Sequence, residues 1–275
     1  MSFHFWKGTD SEYEHEDDQI KLLSAALKKW ADETDKRVHL LTNYYVGGEE
    51  IDAAIILPNI VLVIDLKTGS GKINGGENGD WICEKPDGQK FVLNKGKKNP
   101  YLQGRAKRWA MVNYLESRKN EIFSGQKASQ MDFFHTSTFI VFDNEIQWDR
   151  SQLPGKVIKW FDVLSINSVP ERLGKIKSSK ISLSPEEAWL IPSLLNLQNE
   201  DEDFDAIPDE IIPDTNQELQ DSDGVDVEEI EPTVANTDGL DGRVIAGVFV
   251  GNNGPEIVLK TEDGSKYNVH LNAKF

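Results

Sequence analysis

The sequence has almost no cysteine and no long apolar run, and both absences narrow the class of protein. Cys83 is the only cysteine in 275 residues, which excludes an internal disulfide framework and any multi-thiolate zinc site within one chain. The most apolar stretch, residues 53–64, is broken by Pro58-Asn59 and is too short to span a bilayer. The N-terminus has no apolar segment followed by a small-residue cleavage site. We therefore expect a soluble cytoplasmic protein with no membrane association.

Basic residues are missing altogether from one stretch, residues 199–241. This stretch holds 17 of the 47 acidic residues and accounts for the whole formal charge of −17. The rest of the chain is neutral, so the overall acidity does not exclude a nucleic-acid partner, which needs only a local cluster of Lys and Arg. The stretch also has few large apolar residues, and such a segment cannot bury enough surface to offset the entropy of ordering. We predict a disordered acidic linker.

Apolar spacing elsewhere predicts a mixed α/β layer fold. Ile20, Leu23 and Leu27 recur at helical spacing and predict an amphipathic helix over residues 11–30, with Ser11 and Glu14 as a capping box. A second helix is expected to begin at Asn99-Pro100 and to end near residue 119. Runs rich in Val, Ile, Leu and Phe predict buried strands at residues 38–45, 51–57, 60–66 and 139–142.

These patterns divide the chain into four parts. Residues 1–150 form the α/β domain, and residues 151–198 form an extension of helix and strand packed on it. Residues 199–241 are the acidic linker. In residues 242–275, apolar runs are separated by Gly254-Pro255 and Asp263-Gly264, which predicts a small unit of three β-strands.

The chemistry of the sequence is concentrated in the apolar hairpin at residues 51–67. If Pro58-Asn59 forms its tip, Asp52 lies opposite Asp65, with β-carbons about 5 Å apart. Two carboxylates at that distance repel each other unless a cation lies between them. Alternation places Lys67 on the face of Asp65 and leaves the backbone carbonyl of Leu66 near the acids. We therefore predict a metal site with Asp52, Asp65 and the Leu66 carbonyl as ligands.

Mg²⁺, or Mn²⁺ in its place, suits such a site because it binds through one or two carboxylates together with waters and a substrate phosphate. The ion would polarise a phosphate and activate a water, while Lys67 would orient that water and counter the growing negative charge. The alternative is that these residues are ordinary surface charges at strand ends. Their position argues against it, because charges that end a strongly apolar strand destabilise the fold unless they serve a function.

Several motifs in sequence order resemble the NERD, or nuclease-related, domain, which is grouped with the PD-(D/E)XK nucleases. They are Gly48-Glu49-Glu50-Ile51-Asp52, the apolar hairpin, Ile64-Asp65-Leu66-Lys67-Thr68-Gly69-Ser70-Gly71-Lys72-Ile73, Trp81, and Asn99-Pro100-Tyr101-Leu102-Gln103. The resemblance covers roughly residues 12–145. It implies a restriction-endonuclease-like core, in which a central mixed sheet is flanked by helices.

The same resemblance implies roles for individual residues. Asp52 and Asp65 would be metal ligands, Lys67 the catalytic lysine, and Gln103 a further site residue at the start of the second helix. Asp65 stands where many members carry Glu, a change that the superfamily pattern permits. The family also places an acid on the first helix, and among Glu12, Glu16 and Asp17 we favour Glu16. The alternative is that these acids form a solvated helix start, which the helix dipole favours.

A basic segment precedes and enters the second helix. Its Lys and Arg side chains predict a surface that contacts phosphates, with Trp109 and Tyr114 available for stacking on bases. The residues are Lys95, Lys97, Lys98, Arg105, Lys107 and Arg108. The alternative is an ordinary solvated helix face with its aromatic side chains in the core.

These observations favour a magnesium-dependent endo- or exonuclease that acts on nucleic acid, with DNA as the first candidate. A nuclease-fold module without catalytic activity, binding partners through its basic face, acidic linker and C-terminal strands, is the competing hypothesis. NERD domains often occur with helicase or kinase modules, so the resemblance also implies such a partner. Gly69-Ser70-Gly71-Lys72 is not a phosphate-binding P-loop, because Leu66 replaces its first Gly and Ile73 its Ser or Thr.

Overall fold

The computed structural model describes residues 2–9, 14–201, 244–251, 254–261 and 266–269. The chain divides into two compact units, residues 1–217 and residues 218–275. Within the described ranges, no helix combines the length and the apolar composition that crossing a membrane requires.

A mixed seven-stranded sheet forms the centre of the first unit. Its strands are β1 (Phe3–Lys7), β2 (Val38–Val46), β3 (Glu49–Leu57), β4 (Ile60–Lys67), β8 (Ser137–Phe142), β10 (Phe161–Ser165) and β11 (Gln198–Asn199). They lie in the order β10-β8-β4-β3-β2-β1-β11. Strands β2, β3 and β4 form an antiparallel meander, whereas β1 runs parallel to β2, and β4, β8 and β10 run parallel to one another. The predicted α/β fold with a mixed central sheet is confirmed.

Both faces of this sheet are buried, which explains the unbroken apolar runs of β3 and β4. Successive side chains of a strand point to opposite faces, and here they enter two separate core clusters. One cluster takes Ala54, Ile56, Val61 and Val63, and the other takes Ala53, Ile55, Leu62 and Ile64.

Helices cover the two faces of the sheet. They are α1 (Glu14–Thr34), α2 (Pro100–Ser117), α3 (Lys119–Ile122), α4 (Lys127–Gln130), α5 (Val169–Lys175) and α6 (Pro185–Leu194). Helices α1 and α5 contribute Leu23 and Leu173 to the core on one face, and α2 and α6 contribute Met111 and Ile191 to the core on the other. The first helix runs past its predicted end at residue 30 to Thr34, and Ser11 of the predicted capping box lies outside the described residues.

The start of α2 is fixed by the dipeptide that the sequence singled out. Asn99 is the N-cap, and its side-chain oxygen accepts a hydrogen bond from the Leu102 amide at 2.8 Å. Its side-chain amide donates to the carbonyl of Gly79 at 2.9 Å. Pro100 occupies the first helical turn, where a missing amide hydrogen costs nothing. The cap therefore both starts the helix and ties it to the neighbouring loop.

A second sheet of four short strands packs beside β8 and β10. Its strands are β5 (Gly71–Asn74), β6 (Trp81–Glu84), β7 (Lys90–Leu93) and β9 (Ile146–Trp148), in the order β7-β6-β5-β9. The apolar patterns of the sequence did not predict β5, because glycines dominate that segment, where a β-carbon on Gly75 would lie 2.2 Å from the Trp81 ring.

The main unit extends slightly beyond its predicted end. Asn199 pairs with Trp6 of β1, the Glu200 amide donates to the Phe5 carbonyl at 3.0 Å, and Asp201 contacts His4 at 2.8 Å. The predicted start of the acidic linker at residue 199 was therefore wrong, since residues 199–201 edge the sheet. The rest of that linker lies outside the described residues.

The second unit contains three antiparallel strands. They are β12 (Val244–Gly251), β13 (Gly254–Thr261) and β14 (Lys266–Val269), and β13 pairs with both of the others.

A buried histidine lies on β2, an inner strand of the main sheet. His39 is 1 % exposed, its Nδ1 accepts a hydrogen bond from the Trp6 indole at 3.2 Å, and its ring stacks on His4. Burial, reinforced by the positive charges of His4 and Arg37, lowers the pKa of His39 to about 3. Its imidazole is therefore neutral in the folded protein at every physiological pH.

We expect His39→Asn, which keeps an acceptor for Trp6, to make the protein less sensitive to acid. The unfolded chain protonates His39 below about pH 6.5, whereas the folded chain resists protonation down to about pH 3. The stability that this group contributes is therefore present above pH 6.5 and is lost as the pH falls. Between pH 7 and pH 5 the loss amounts to roughly 2 kcal/mol.

Urea denaturation at the two pH values measures this difference. His39→Asn should lose less free energy of unfolding than the wild type, whereas His135→Asn, at a half-exposed position, should lose as much as the wild type. Equal losses in wild type and His39→Asn would contradict the assignment.

Candidate active site

Two aspartates lie at the open end of the β3–β4 hairpin. The register pairs Leu57 with Ile60 and continues to Ala53 with Ile64, so the predicted tip at Pro58-Asn59 is confirmed and Asp52 comes opposite Asp65. The backbone pairing stops one step short of these residues. There the Leu66 amide donates to Oδ2 of Asp52 at 2.8 Å, so the Asp52 side chain closes the end of the ladder.

Asp65 and Lys67 share the face of the sheet that α2 covers. Their neighbours Ile64 and Leu66 point into the core under α1, as the predicted alternation requires. Lys67 Nζ lies 2.8 Å from Asp65 Oδ2, and the Asp65 side chain is fully buried whereas that of Lys67 is 14 % exposed. The site therefore combines a fully buried acid with a lysine that keeps a small exposed fraction.

A second lysine, from α2, lies between the two acids. Lys107 Nζ is 2.5 Å from Asp52 Oδ1 and 2.5 Å from Asp65 Oδ1. Its side chain is only 5 % exposed. The prediction that Lys107 belongs to an exposed phosphate-binding surface is corrected, because its ammonium group bridges the carboxylates inside the protein.

Close packing of α2 against the sheet makes this bridge possible. Gly104, one turn before Lys107, has so little room that an added β-carbon would lie 3.0 Å from Ile140 Cδ1. The sequence held one signal for this position. Gln103, which the family resemblance assigns to the site, precedes Lys107 by four residues, and residues at that spacing lie on the same helix face.

Burial and neighbouring charges shift the pKa values of Asp52, Asp65 and Lys107. Burial raises the pKa of Asp52, and the charge of Asp65 adds to that effect. Burial alone would also raise the pKa of Asp65, but Lys67 and Lys107 outweigh it and hold that pKa below its usual value. Burial likewise opposes the charge of Lys107, yet the two carboxylates raise its pKa above the ordinary range. Asp65 is thus held as the anion and Lys107 as the cation.

The donor set is compatible with a divalent ion that needs few protein ligands. Both oxygens of Asp65 are buried and, among the described residues, receive no hydrogen bond of normal geometry, so their contacts with the two lysines are ion pairs. Across residues 2–9, 14–201 and the three C-terminal strands, no cluster of three or more His, Cys, Asp or Glu side chains could hold a metal. A bound ion would therefore have two carboxylates and complete its shell with carbonyl or water oxygens, as Mg²⁺ commonly does.

Comparison with known protein families decides the class of this domain. The family model of the nuclease-related domain, NERD, matches residues 11–142. The chain carries a NERD domain. The match runs from the start of α1 to the end of β8 and confirms the resemblance seen in the sequence. No curated protein and no solved structure matched the chain.

The other two predicted site residues, Gln103 and Glu16, lie in the first turns of α2 and α1. Gln103 is half-buried, and its side-chain oxygen accepts a hydrogen bond from Asn94 at 2.6 Å. Glu16 is half-buried on α1, the helix that covers the opposite face of the sheet. One turn further along α1, Gln19 donates to Thr68 at 3.1 Å, so this end of α1 lies beside the residue that follows Lys67. Glu12 lies outside the described residues.

The predicted basic surface separates into exposed and buried members. Lys95, Lys97, Lys98 and Arg105 are exposed. Arg108 is 6 % exposed; it donates to the Thr136 carbonyl at 2.6 Å and to the Phe134 carbonyl, and its guanidinium lies 4.6 Å from the centre of the Trp160 ring. The prediction of Arg108 as a surface residue is corrected, because its hydrogen bonds and its ring contact are made inside the protein.

The two aromatic residues predicted to stack on bases also differ. Trp109 is 41 % exposed and packs edge-on against Phe134. Tyr114 is partly buried against the core, and its hydroxyl donates to the Leu194 carbonyl. Only Trp109 presents a substantial part of its ring to solvent.

We expect Arg108→Met to destabilise the protein and Arg105→Met to leave its stability nearly unchanged. Arg108→Met removes two hydrogen bonds and leaves the carbonyl of buried Thr136 unpaired, which should lower the free energy of unfolding by roughly 1–3 kcal/mol. Arg105→Met, at an exposed position on the same helix, should leave stability within about 0.5 kcal/mol of wild type. Chemical denaturation measures both, and a stable Arg108→Met variant would show that the buried contacts are not needed.

Proposed function

We propose that the NERD domain is a metal-dependent nuclease with a restriction-endonuclease-like core, which hydrolyses phosphodiester bonds of nucleic acid, with DNA as the first candidate. The observation that carries this proposal is the convergence of Asp52, Asp65 and Lys67 on one face at the end of the β3–β4 hairpin. Two carboxylates with an adjacent ammonium group supply the charges that phosphodiester hydrolysis needs.

Asp52 and Asp65 would hold Mg²⁺ or Mn²⁺. The Leu66 amide points towards Asp52, and because the amide and carbonyl of a strand residue point to the same side, its carbonyl is available as a third oxygen. The ion would polarise the scissile phosphate and lower the pKa of a bound water. Lys67 is held against Asp65 and is more exposed than that acid, so its ammonium group can orient the attacking water and balance charge on the phosphate.

The exposed lysines next to Gln103 would contact the substrate backbone. They lie in the loop at residues 95–98, which we call the basic loop. Lys98 is 3.6 Å from Glu49 of β3, three residues before Asp52. Asn94, just before the loop, bonds Gln103. The basic loop is thus tied to β3 and, through Asn94, to α2, the two elements that carry Asp52 and Lys107.

One observation favours the alternative of a module without catalytic activity. The ammonium group of Lys107 lies between the two carboxylates and offsets their mutual repulsion. The fold therefore does not need a metal ion for that purpose. Under this alternative the domain binds nucleic acid or protein through the basic loop, and Asp52, Asp65 and Lys107 serve stability alone.

A cleavage assay on plasmid, linear and single-stranded substrates, with Mg²⁺, Mn²⁺ or EDTA, distinguishes the two. We expect metal-dependent cleavage that Asp65→Asn and Lys67→Met each reduce by at least about a hundredfold, since acid–base and electrostatic groups contribute that much. The matched controls are Asp18→Asn and Lys21→Met, which alter an exposed Asp–Lys pair on α1. Full activity in both site variants would rule out this site.

Neutralising the basic loop should weaken nucleic-acid binding and its salt dependence together. With Lys95, Lys97 and Lys98 all changed to Gln, we expect the slope of log affinity against log salt to fall by up to about 0.9 for each phosphate that the variant no longer neutralises. Binding is measured with Asp65→Asn in the background, so that the substrate stays intact.

The control changes Lys175, Lys177 and Lys180, which are also exposed. They flank Ser178, which bonds Asn59 at the hairpin tip, and so lie at the other end of the hairpin. An equal decrease in affinity in both triple variants would indicate general electrostatic attraction and not a binding surface.

A further inference from the structure

The position of Lys107 has a consequence for metal binding. Its nitrogen contacts one oxygen of each carboxylate at 2.5 Å, so the ammonium group occupies the space between the two acids of the proposed metal site. We propose, building on the proposed function, that Lys107 is a resident counter-ion that competes with the metal: a divalent ion enters between Asp52 and Asp65 only as the Lys107 ammonium leaves.

The two cations cannot share the position. Mg²⁺ lies about 2.0–2.1 Å from its oxygen ligands, so an ion that bridges the same two oxygens would overlap the lysine nitrogen. A protonated amine has no lone pair to offer as a ligand. Their charges also repel each other strongly inside a buried site. Occupancy by one cation therefore excludes the other.

The burial of the acids explains why a resident cation is needed at all. The Asp65 side chain is fully buried and that of Asp52 is 16 % exposed, and a buried charge left without a partner strongly destabilises a fold. Lys107 supplies the missing charge in the absence of metal. Its long, flexible stem can move while α2 itself stays packed against the sheet at Gly104.

Lys67 is the matched control for Lys107, because it also pairs with Asp65 but does not lie between the two acids. It contacts Asp65 Oδ2, on the other side of that carboxylate from Lys107, and it is not within ion-pair distance of Asp52. It can therefore remain in place while a metal binds Oδ1. Of the two lysines, only Lys107 has to move.

The decisive experiment is calorimetric titration of Mn²⁺ into the full-length protein, without nucleic acid, for wild type, Lys107→Met and Lys67→Met. We expect Lys107→Met to bind Mn²⁺ at least about tenfold more tightly than wild type, a shift in Kd that Lys67→Met does not reproduce. Thermal unfolding gives a second readout. In EDTA, Lys107→Met should have a lower Tm than wild type, and Mn²⁺ should raise the Tm of Lys107→Met more than that of wild type.

Amine labelling of the wild type, read by mass spectrometry, tests the proposal without any variant. Lys107 should label slowly in EDTA and faster with saturating Mn²⁺, while exposed Lys21 labels equally in both. Unchanged labelling of Lys107 at saturating Mn²⁺ would overturn the proposal, whether or not Lys107→Met folds. A folded Lys107→Met that binds Mn²⁺ no more tightly than wild type would also overturn it.

These outcomes are separable from those of the proposed function. Tight Mn²⁺ binding by Lys107→Met together with no cleavage by the wild type under any condition would support the resident counter-ion and refute the nuclease. Metal-dependent cleavage by the wild type, with Mn²⁺ affinity unaffected by Lys107→Met, would do the reverse.

Discussion

The charge of Asp65 is the constraint on which the rest of the site depends. A fully buried carboxylate at the end of a central strand is tolerated only where positive charge meets it. Here two lysines meet it, one from its own strand and one from the helix above. The ion pairs join β3, β4 and α2 at one point, so the residues that serve the proposed chemistry also fix the packing of these elements.

The surrounding fold sets where that positive charge can come from. Because β3 and β4 are buried on both faces, a charged side chain at their open end meets helix on either side. Gly104 lets α2 approach β8 closely, and the Asn99 cap sets where the helix begins. Together they determine that Lys107, and not a residue one turn earlier or later, reaches both carboxylates.

The parts of the site that follow from local rules could be predicted from the sequence. Strand alternation gave the shared face of Asp65 and Lys67, and the interruption at Pro58-Asn59 gave the register that opposes Asp52 to Asp65. Lys107 and Arg108 were misplaced because a cation in a helical segment has the same local pattern whether it is solvated or buried. Only packing between distant segments distinguishes a solvated cation from a buried one. Packing between distant segments also forms β5 and places residues 199–201 at the sheet, and local sequence patterns do not show it.

The two functional hypotheses reduce to one physical question, which is whether a divalent ion or an ammonium group occupies the space between two carboxylates. A divalent ion carries twice the charge and can activate water, but it must give up part of its hydration shell and expel a lysine that belongs to the fold. The lysine is part of the chain, so its presence at the site does not depend on its concentration in solution, whereas the occupancy of a metal ion does. The affinity of such a site for a divalent ion therefore depends on the competing Lys107 as much as on the two aspartates. A substitution of Lys107 would change that affinity and leave both aspartates in place.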